Sequence, residues 1–302
     1  MSALRRIALS TGVSLDVAVE GDPGAPAILF LHGFPESHRT WRHQIAALSA
    51  DHYCVAPDQR GYAGSSKPEA VADYGIDRLV ADVVALADAL GIGRFTLAAH
   101  DWGGAVGWAT ALRHPDRVER LVIANAPHPL LFQRALIDDP AQRAASQYIR
   151  AFRDPGIEAR VAEMGLDGFF DRSFAPHVDP ARVTAADRAD YLAEWGQPGA
   201  LTGMLNWYRA APIVVPAMDE VLARPAWVDA AFPALEMPVL VVWGMRDRAL
   251  LAAQLDGLDA VVRDLTVARI DAGHFVPWEA PDAVTGVMRE WFGRGQRSVR
   301  AE

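Results

Sequence analysis

The sequence predicts an α/β protein: a mostly parallel central sheet, helices on both faces, and a helical insertion. Three observations carry this. Short runs rich in Val, Ile and Leu, at residues 27–31, 53–56, 95–99, 121–124, 239–243 and 265–270, read as strands buried on both faces, as in a parallel sheet. Helical patterns lie between them, and strands alternating with helices form right-handed βαβ units. The alternation breaks between about residues 127 and 233, where amphipathic helical stretches, scattered aromatics and several prolines occur without a clear strand. The expected organisation is a core in two parts, 1–127 and 233–302, with residues 128–232 as a helical lid over one end of the sheet.

Residues 6–20 alternate about Thr11-Gly12, the pattern of an opening hairpin. Run 27–31 leads into His32-Gly33-Phe34-Pro35, where Gly33 permits a tight turn and close backbone approach and the N–H of Phe34 can serve as an anion donor. Run 53–56 contains the single cysteine, Cys54, read as a small core residue. It is followed by Asp58-Gln59-Arg60-Gly61-Tyr62-Ala63-Gly64-Ser65-Ser66, read as a braced structural loop. In residues 77–90, Leu79, Val80, Val83, Val84, Leu86, Ala87 and Leu90 recur at three- and four-residue spacings, with Gly91 at the C-cap.

Run 95–99 ends in His100-Asp101-Trp102-Gly103-Gly104: a strand, a sharp turn and a helix, with an aspartate at the tip. Asp before a helix is commonly an N-cap. Two helix-weakening glycines in the first turn instead suit a backbone that turns sharply and packs closely, the form of a nucleophile elbow. A carboxylate held there displaces a leaving group from saturated carbon and leaves an ester that water must cleave. The last two runs lead into Met245-Arg246-Asp247 and Asp271-Ala272-Gly273-His274-Phe275. Ligands of open α/β sheets bind at the carboxyl ends of the strands, so Asp101, Asp247 and His274 are brought together in the chain order nucleophile, acid, base. His32 is the rival base. Asp271 is the rival acid, close in sequence to His274. Asn125 occupies an alternative acid position, but an amide cannot stabilise an imidazolium.

A chain of 302 residues, 51% hydrophobic, can bury a large core, and its net charge of −9 argues against a nucleic-acid surface. The basic run 293–300 reads as a solvated, poorly ordered end. Arg5-Arg6 precede an apolar run far too short for a signal peptide, and no stretch approaches the roughly 20 apolar residues of a membrane span. A soluble, cytoplasmic protein without nucleic-acid or membrane partners is expected, and a homodimer is left open. No metal-ligand spacing or phosphate-binding glycine loop calls for a cofactor.

The elbow, the 32–35 turn, the 61–66 loop and the 271–274 segment resemble the α/β-hydrolase superfamily along essentially the whole chain. The aspartate in place of serine, followed by Trp102, resembles its epoxide hydrolase and its haloalkane and haloacetate dehalogenase branches, both of which use that tryptophan. Ala99 departs from the elbow pattern, which often has glycine there; the position needs only a small residue. The resemblance implies an α/β-hydrolase fold with a sheet of about eight strands and a lid. It implies Asp101 as nucleophile, His274 as base, Asp247 as orienting acid, and the backbone amides of Phe34 and Trp102 as an oxyanion hole. Ser146-Gln147-Tyr148-Ile149-Arg150-Ala151-Phe152 and Leu205-Asn206-Trp207-Tyr208-Arg209 resemble the lid segments that carry epoxide-activating tyrosines. Tyr148 and Tyr208 are therefore expected to bind the epoxide oxygen with Phe34 and Trp102 beside them, while Trp207, Phe152 and Tyr191 pack. The expected reaction takes a small apolar epoxide and water to a vicinal diol, with neither cofactor nor metal. The alternatives are a haloacetate or haloalkane dehalogenase using the same aspartate, and a non-catalytic binding protein on the same scaffold. Haloalkane dehalogenases often carry a halide-binding asparagine where this chain has Phe34. Haloacetate dehalogenases carry an arginine after the nucleophile, and none lies between Asp101 and Leu112.

Overall fold

The computed structural model describes residues 4–221, 224–230 and 232–299, the stretch 294–299 as backbone. The chain opens with an antiparallel hairpin, β1 (Arg5–Ala8) and β2 (Ser14–Glu20). The six apolar runs become β3 (Ala27–Leu31), β4 (Tyr53–Pro57), β5 (Phe95–His100), β6 (Val118–Ala124), β7 (Val239–Gly244) and β8 (Leu265–Ile270). The sheet has eight strands in the order β1-β2-β4-β3-β5-β6-β7-β8, with β2 antiparallel to β4 and every later pair parallel. This is the α/β-hydrolase fold.

Helices α1 (Arg42–Leu48), α2 (Ile76–Ala89) and α3 (Trp102–Arg113) alternate with the first strands. The strands bury both faces because alternate residues feed two cores. Leu29, Leu31, Leu97, Leu121 and Val241 pack with Leu79 and Val83 of α2 and Val106 of α3. Phe30, Ala98, Val122 and Leu240 pack on the other side with Ile45 of α1 and Met288. Burying each of the larger side chains contributes about 1.5–3 kcal/mol. β8 differs from the buried strand its composition suggests: it ends the sheet, and its residues are mostly half-buried, with Arg269 exposed. An edge strand is covered from fewer directions. α2 ends on Leu90 as its cap, and Gly91 follows at φ 70°, a left-handed conformation that glycine adopts without strain. Cys54 is buried, which pushes its thiol up to about 12.

Between β6 and β7 lie α4 (Pro129–Asp138), α5 (Pro140–Ala145), α6 (Gln147–Arg153), α7 (Ile157–Ser173), α8 (Ala185–Trp195) and α9 (Ala200–Ala210), with no strand among the described residues. Polar anchors seat this segment on loops at the carboxyl ends of β3 and β4. Trp195 Nε1 donates to the Pro35 carbonyl at 2.6 Å, and Trp207 Nε1 donates to the Arg60 carbonyl at 2.9 Å. The 58–66 loop is braced from below: Arg60 makes two 2.7 Å bonds to Asp82, and Asp58 accepts from the backbone and ring nitrogens of His38 at 2.8 Å. The chain closes with α10 (Val276–Glu279) and α11 (Pro281–Val299). The backbone of the basic run is thus helical to Val299 rather than irregular; Arg300 lies outside the described residues. No helix among the described residues is long and apolar enough to cross a membrane.

Candidate active site

β5 delivers Asp101 at φ 50°, ψ −121°, and α3 begins with the next residue. A non-glycine residue in this region is strained and needs support from its surroundings. The support is close packing. A Cβ on Gly103 would press on the carbonyl oxygens of His32 and Leu31, so only glycine lets α3 start against β3. A Cβ on Gly33 would collide with Asp101 itself. Ala99, the departure from the elbow pattern, fits because it faces another glycine: a Cβ on Gly107 would lie 3.0 Å from the Ala99 methyl.

The three predicted groups meet. His274 Nδ1 lies 2.7 Å from Asp247 Oδ2, and His274 Nε2 lies 3.6 Å from Asp101 Oδ2. Phe34 N–H donates to Asp101 Oδ1 at 2.8 Å. Trp102 is the first residue of α3, so its amide is among those a helix leaves without an intrahelical partner. Asp247 is fixed from several sides. Its Oδ1 accepts from the amides of Ala249 and Leu250 at 2.8 and 3.0 Å, and its Oδ2 also accepts from Asn125 Nδ2 at 2.7 Å. Asn125 is held in turn, its Oδ1 accepting from the Gly244 amide at 2.7 Å. The residue at the alternative acid position therefore clamps the acid.

The rivals have other partners. His32 is buried, with Nδ1 2.9 Å from the Gly33 carbonyl and Nε2 accepting from the Gln59 amide at 3.0 Å. Asp271 pairs with Arg246 at the surface at 2.6 Å. Charges within the site are strongly coupled. Burial works against the ionised carboxyl of Asp101, but the His274 ring outweighs it and holds the group below the usual range. Burial likewise works against a charged His274, and Asp247 and Asp101 together hold its pKa well above the ordinary value.

Above Asp101 and His274 lies a cavity of about 320 Å³, also lined by Phe34, Tyr148, Phe152 and Tyr208. Tyr148 comes from α6 and Tyr208 from α9, and their ring centroids are 6.2 Å apart. The Tyr208 ring meets Trp102 and Phe34 edge to face at 5.0 and 5.1 Å. Burial first, and then neighbouring groups including Asp101, raise both phenols well above their ordinary pKa, so both stay protonated donors. A smaller space of about 80 Å³, lined by Trp102 and Leu250, touches the same aspartate and tyrosines from another side.

Trp207 and Tyr191 are buried packing residues, as expected. Phe152 is also buried in the core, as expected, and in addition lies 5.1 Å from the Phe34 ring and forms part of the cavity wall. Sequence reasoning missed Asn125 as the clamp on Asp247, and it missed Glu36. Glu36 Oε1 accepts from Trp278 Nε1 at 2.7 Å and from Tyr191 Oη at 2.9 Å, and its Oε2 lies 3.3 Å from Nδ1 of His100. An acid directly after Phe34-Pro35 was the available signal. The cavity residues of α7 carried none. Among the described residues, no cluster of three or more His, Cys, Asp or Glu side chains is placed to hold a metal ion.

A family model for the alpha/beta hydrolase fold matches residues 26–281. The chain is 34% identical to epoxide hydrolase A of Mycobacterium tuberculosis, over 95% of this chain and 96% of that protein. Among solved structures, one described under novel epoxide hydrolases from hot-environment metagenomes is 50% identical, with a TM-score of 0.91 over 97% of this chain and 99% of that one. The Bacillus megaterium epoxide hydrolase bound to an inhibitor is 33% identical, with a TM-score of 0.86 over 96% of this chain and 100% of that one.

Proposed function

Because the chain belongs to the α/β-hydrolase fold family, in its epoxide hydrolase branch, we propose that it converts an epoxide to a vicinal diol through an ester on Asp101. One observation carries the reading: a carboxylate only 11% exposed and two protonated phenols border the same cavity. Tyr148 and Tyr208 hydrogen-bond the epoxide oxygen while Asp101 Oδ2, the oxygen that Phe34 leaves free, attacks a ring carbon. The carbon–oxygen bond breaks, and the departing oxygen takes a proton from a tyrosine, which is later reprotonated from solvent. Alkylation neutralises Asp101. One of the two carboxylates that keep His274 protonated is thereby lost, which favours the neutral ring needed for a base.

His274, oriented by Asp247, then takes a proton from water, and the hydroxide attacks the Asp101 carboxyl carbon. The amides of Phe34 and Trp102 face the resulting oxyanion, each such donor contributing roughly 3–4 kcal/mol. Collapse releases the diol, its oxygen protonated by His274, and the carboxylic acid left at Asp101 returns a proton to solvent, matching the one the tyrosine took and restoring the carboxylate. In this reading residues 128–232 act as the lid that brings the tyrosines. The reactants are a small apolar epoxide and water, in the cytoplasm.

An assay of styrene oxide beside chloroacetate, fluoroacetate and bromoalkanes tests the reading: diol from the epoxide is expected, and halide release without diol contradicts it. His274→Gln protein mixed with the epoxide is expected to gain the mass of one epoxide on the peptide containing Asp101. Absence of that adduct favours a scaffold without catalysis.

A further inference from the structure

His274 is placed by its backbone as well as by its ring. Asp247 fixes Nδ1, but the ring swings on a main chain that leaves β8, crosses Gly273 and enters the single turn α10. Glu279, the last residue of α10, folds back across that segment. Its Oε2 accepts from the Gly273 N–H at 2.6 Å, and its own N–H donates to the Phe275 carbonyl at 3.0 Å. The contact is tight: a Cβ on Gly273 would lie 2.7 and 3.0 Å from the two carboxyl oxygens of Glu279. Glu279 is only 6% exposed. Taking a carboxyl out of water is unfavourable, and an apolar side chain would serve packing better. Burial raises its pKa, while the Gly273 amide, the charge on His274 and the Phe275 amide pull the other way. The carboxyl thus faces the amides on both sides of His274.

Resting on the epoxide hydrolase reading, we infer that Glu279 is a positioning residue for the second half of the reaction: through Gly273 it sets where His274 stands when water attacks the ester. Glu279 does not line the cavity, so it acts through the loop and not on the substrate. Ring opening uses Asp101 at the end of β5 and the phenols of α6 and α9, none of which lies on the 273–279 segment. Ester hydrolysis uses His274 Nε2, which stands 3.6 Å from Asp101 Oδ2 and must reach the attacking water there. Proton transfer to a base needs a heavy-atom separation of about 2.6–3.2 Å, so a small backbone shift at Gly273 falls on this half. Asp247 cannot follow a displaced ring, because Ala249, Leu250 and Asn125 hold it.

Rapid-quench mass spectrometry with styrene oxide reads the two halves separately, as the growth and the decay of the adduct on the Asp101 peptide. Glu279→Ala protein is expected to form the adduct within about twofold of the wild-type rate and to lose it about ten- to a hundredfold more slowly, as for a catalytic group displaced by up to about 1 Å. Its kcat and KM then fall together, because the adduct accumulates. The adduct maximum counts the folded sites, so misfolded protein does not imitate slow hydrolysis. Gly273→Ala, which pushes the same contact apart from the other side, is expected to show the same split. Glu279→Gln keeps an oxygen for the Gly273 amide and is expected to restore most of the hydrolysis rate. Wild-type adduct decay in Glu279→Ala protein, equal slowing or loss of both halves, or Glu279→Gln protein as slow as Glu279→Ala overturns the inference, while diol from wild type leaves the epoxide reading standing. Neither adduct nor diol from wild type removes both.

Discussion

A carboxylate that accepts four hydrogen bonds cannot turn, and Asp247 is in that position, fixed by Ala249, Leu250, Asn125 and His274. Its neighbour across the ring, Asp101, has one oxygen tied to Phe34 and the other aimed at His274. The residues expected at this site are legible in the sequence because each follows a strand, and a strand end is a fixed place in an open sheet. Asn125 follows a strand too, yet its partner could not be read: an amide at a strand end can face either of two loops. The tyrosines were legible only through resemblance, because nothing in local spacing says which side of a lid helix faces the cavity. Tyr148→Phe combined with Tyr208→Phe is expected to lower kcat/KM for an epoxide by about 10²–10⁴-fold, since the departing oxygen loses its proton donors. Steady-state diol formation measures this, and wild-type turnover in the double variant contradicts the assignment.

At the scale of elements, the elbow depends on how closely α3 approaches the sheet. Gly107 packs against Ala99 of β5, so the two positions share a fixed volume. Gly107→Ala is expected to cost about 1–3 kcal/mol through overpacking, and the added substitution Ala99→Gly should recover much of it. Denaturant unfolding of both singles and the double gives the coupling; strictly additive effects contradict the shared-volume account. Most strands were readable to within a residue because Val, Ile and Leu runs of this length bury both faces, but β6 starts three residues before its run, at Val118, where Glu119 and Arg120 break the apolar pattern. The edge position of β8 was not, since strand order depends on pairing that composition does not record. The six helices between β6 and β7 were foreseen as a class but not as an arrangement. Their seating on Pro35, Glu36 and Arg60 comes from side chains far apart in sequence.

Across the whole molecule, α8 is the joint between this helical segment and the core, and Glu194 lies within it. Glu194 Oε1 accepts from Ser37 Oγ at 3.1 Å, Oε2 is buried without a partner, and His38, Asp58 and Arg39 stand nearby. Burial first, and then the charge on Asp58, push the carboxyl from 4.5 up to about 7. The folded chain therefore holds this proton more tightly than the unfolded chain. The associated stability is fully present below about pH 4.5 and is lost as pH rises through about 7. Glu194→Gln is expected to stabilise the protein above pH 7 by at most about 3 kcal/mol, with the difference vanishing below pH 4.5. Thermal melts across that range measure it, and a pH-independent difference contradicts the account. The central claim concerns where the new oxygen of the diol comes from. With protein in excess over epoxide in water enriched in oxygen-18, a single turnover is expected to release unlabelled diol, its second oxygen having come from Asp101, and to leave the label in the Asp101 peptide. Label in the diol at that first turnover, with Asp101 unlabelled, means that water attacks the epoxide directly and contradicts the account.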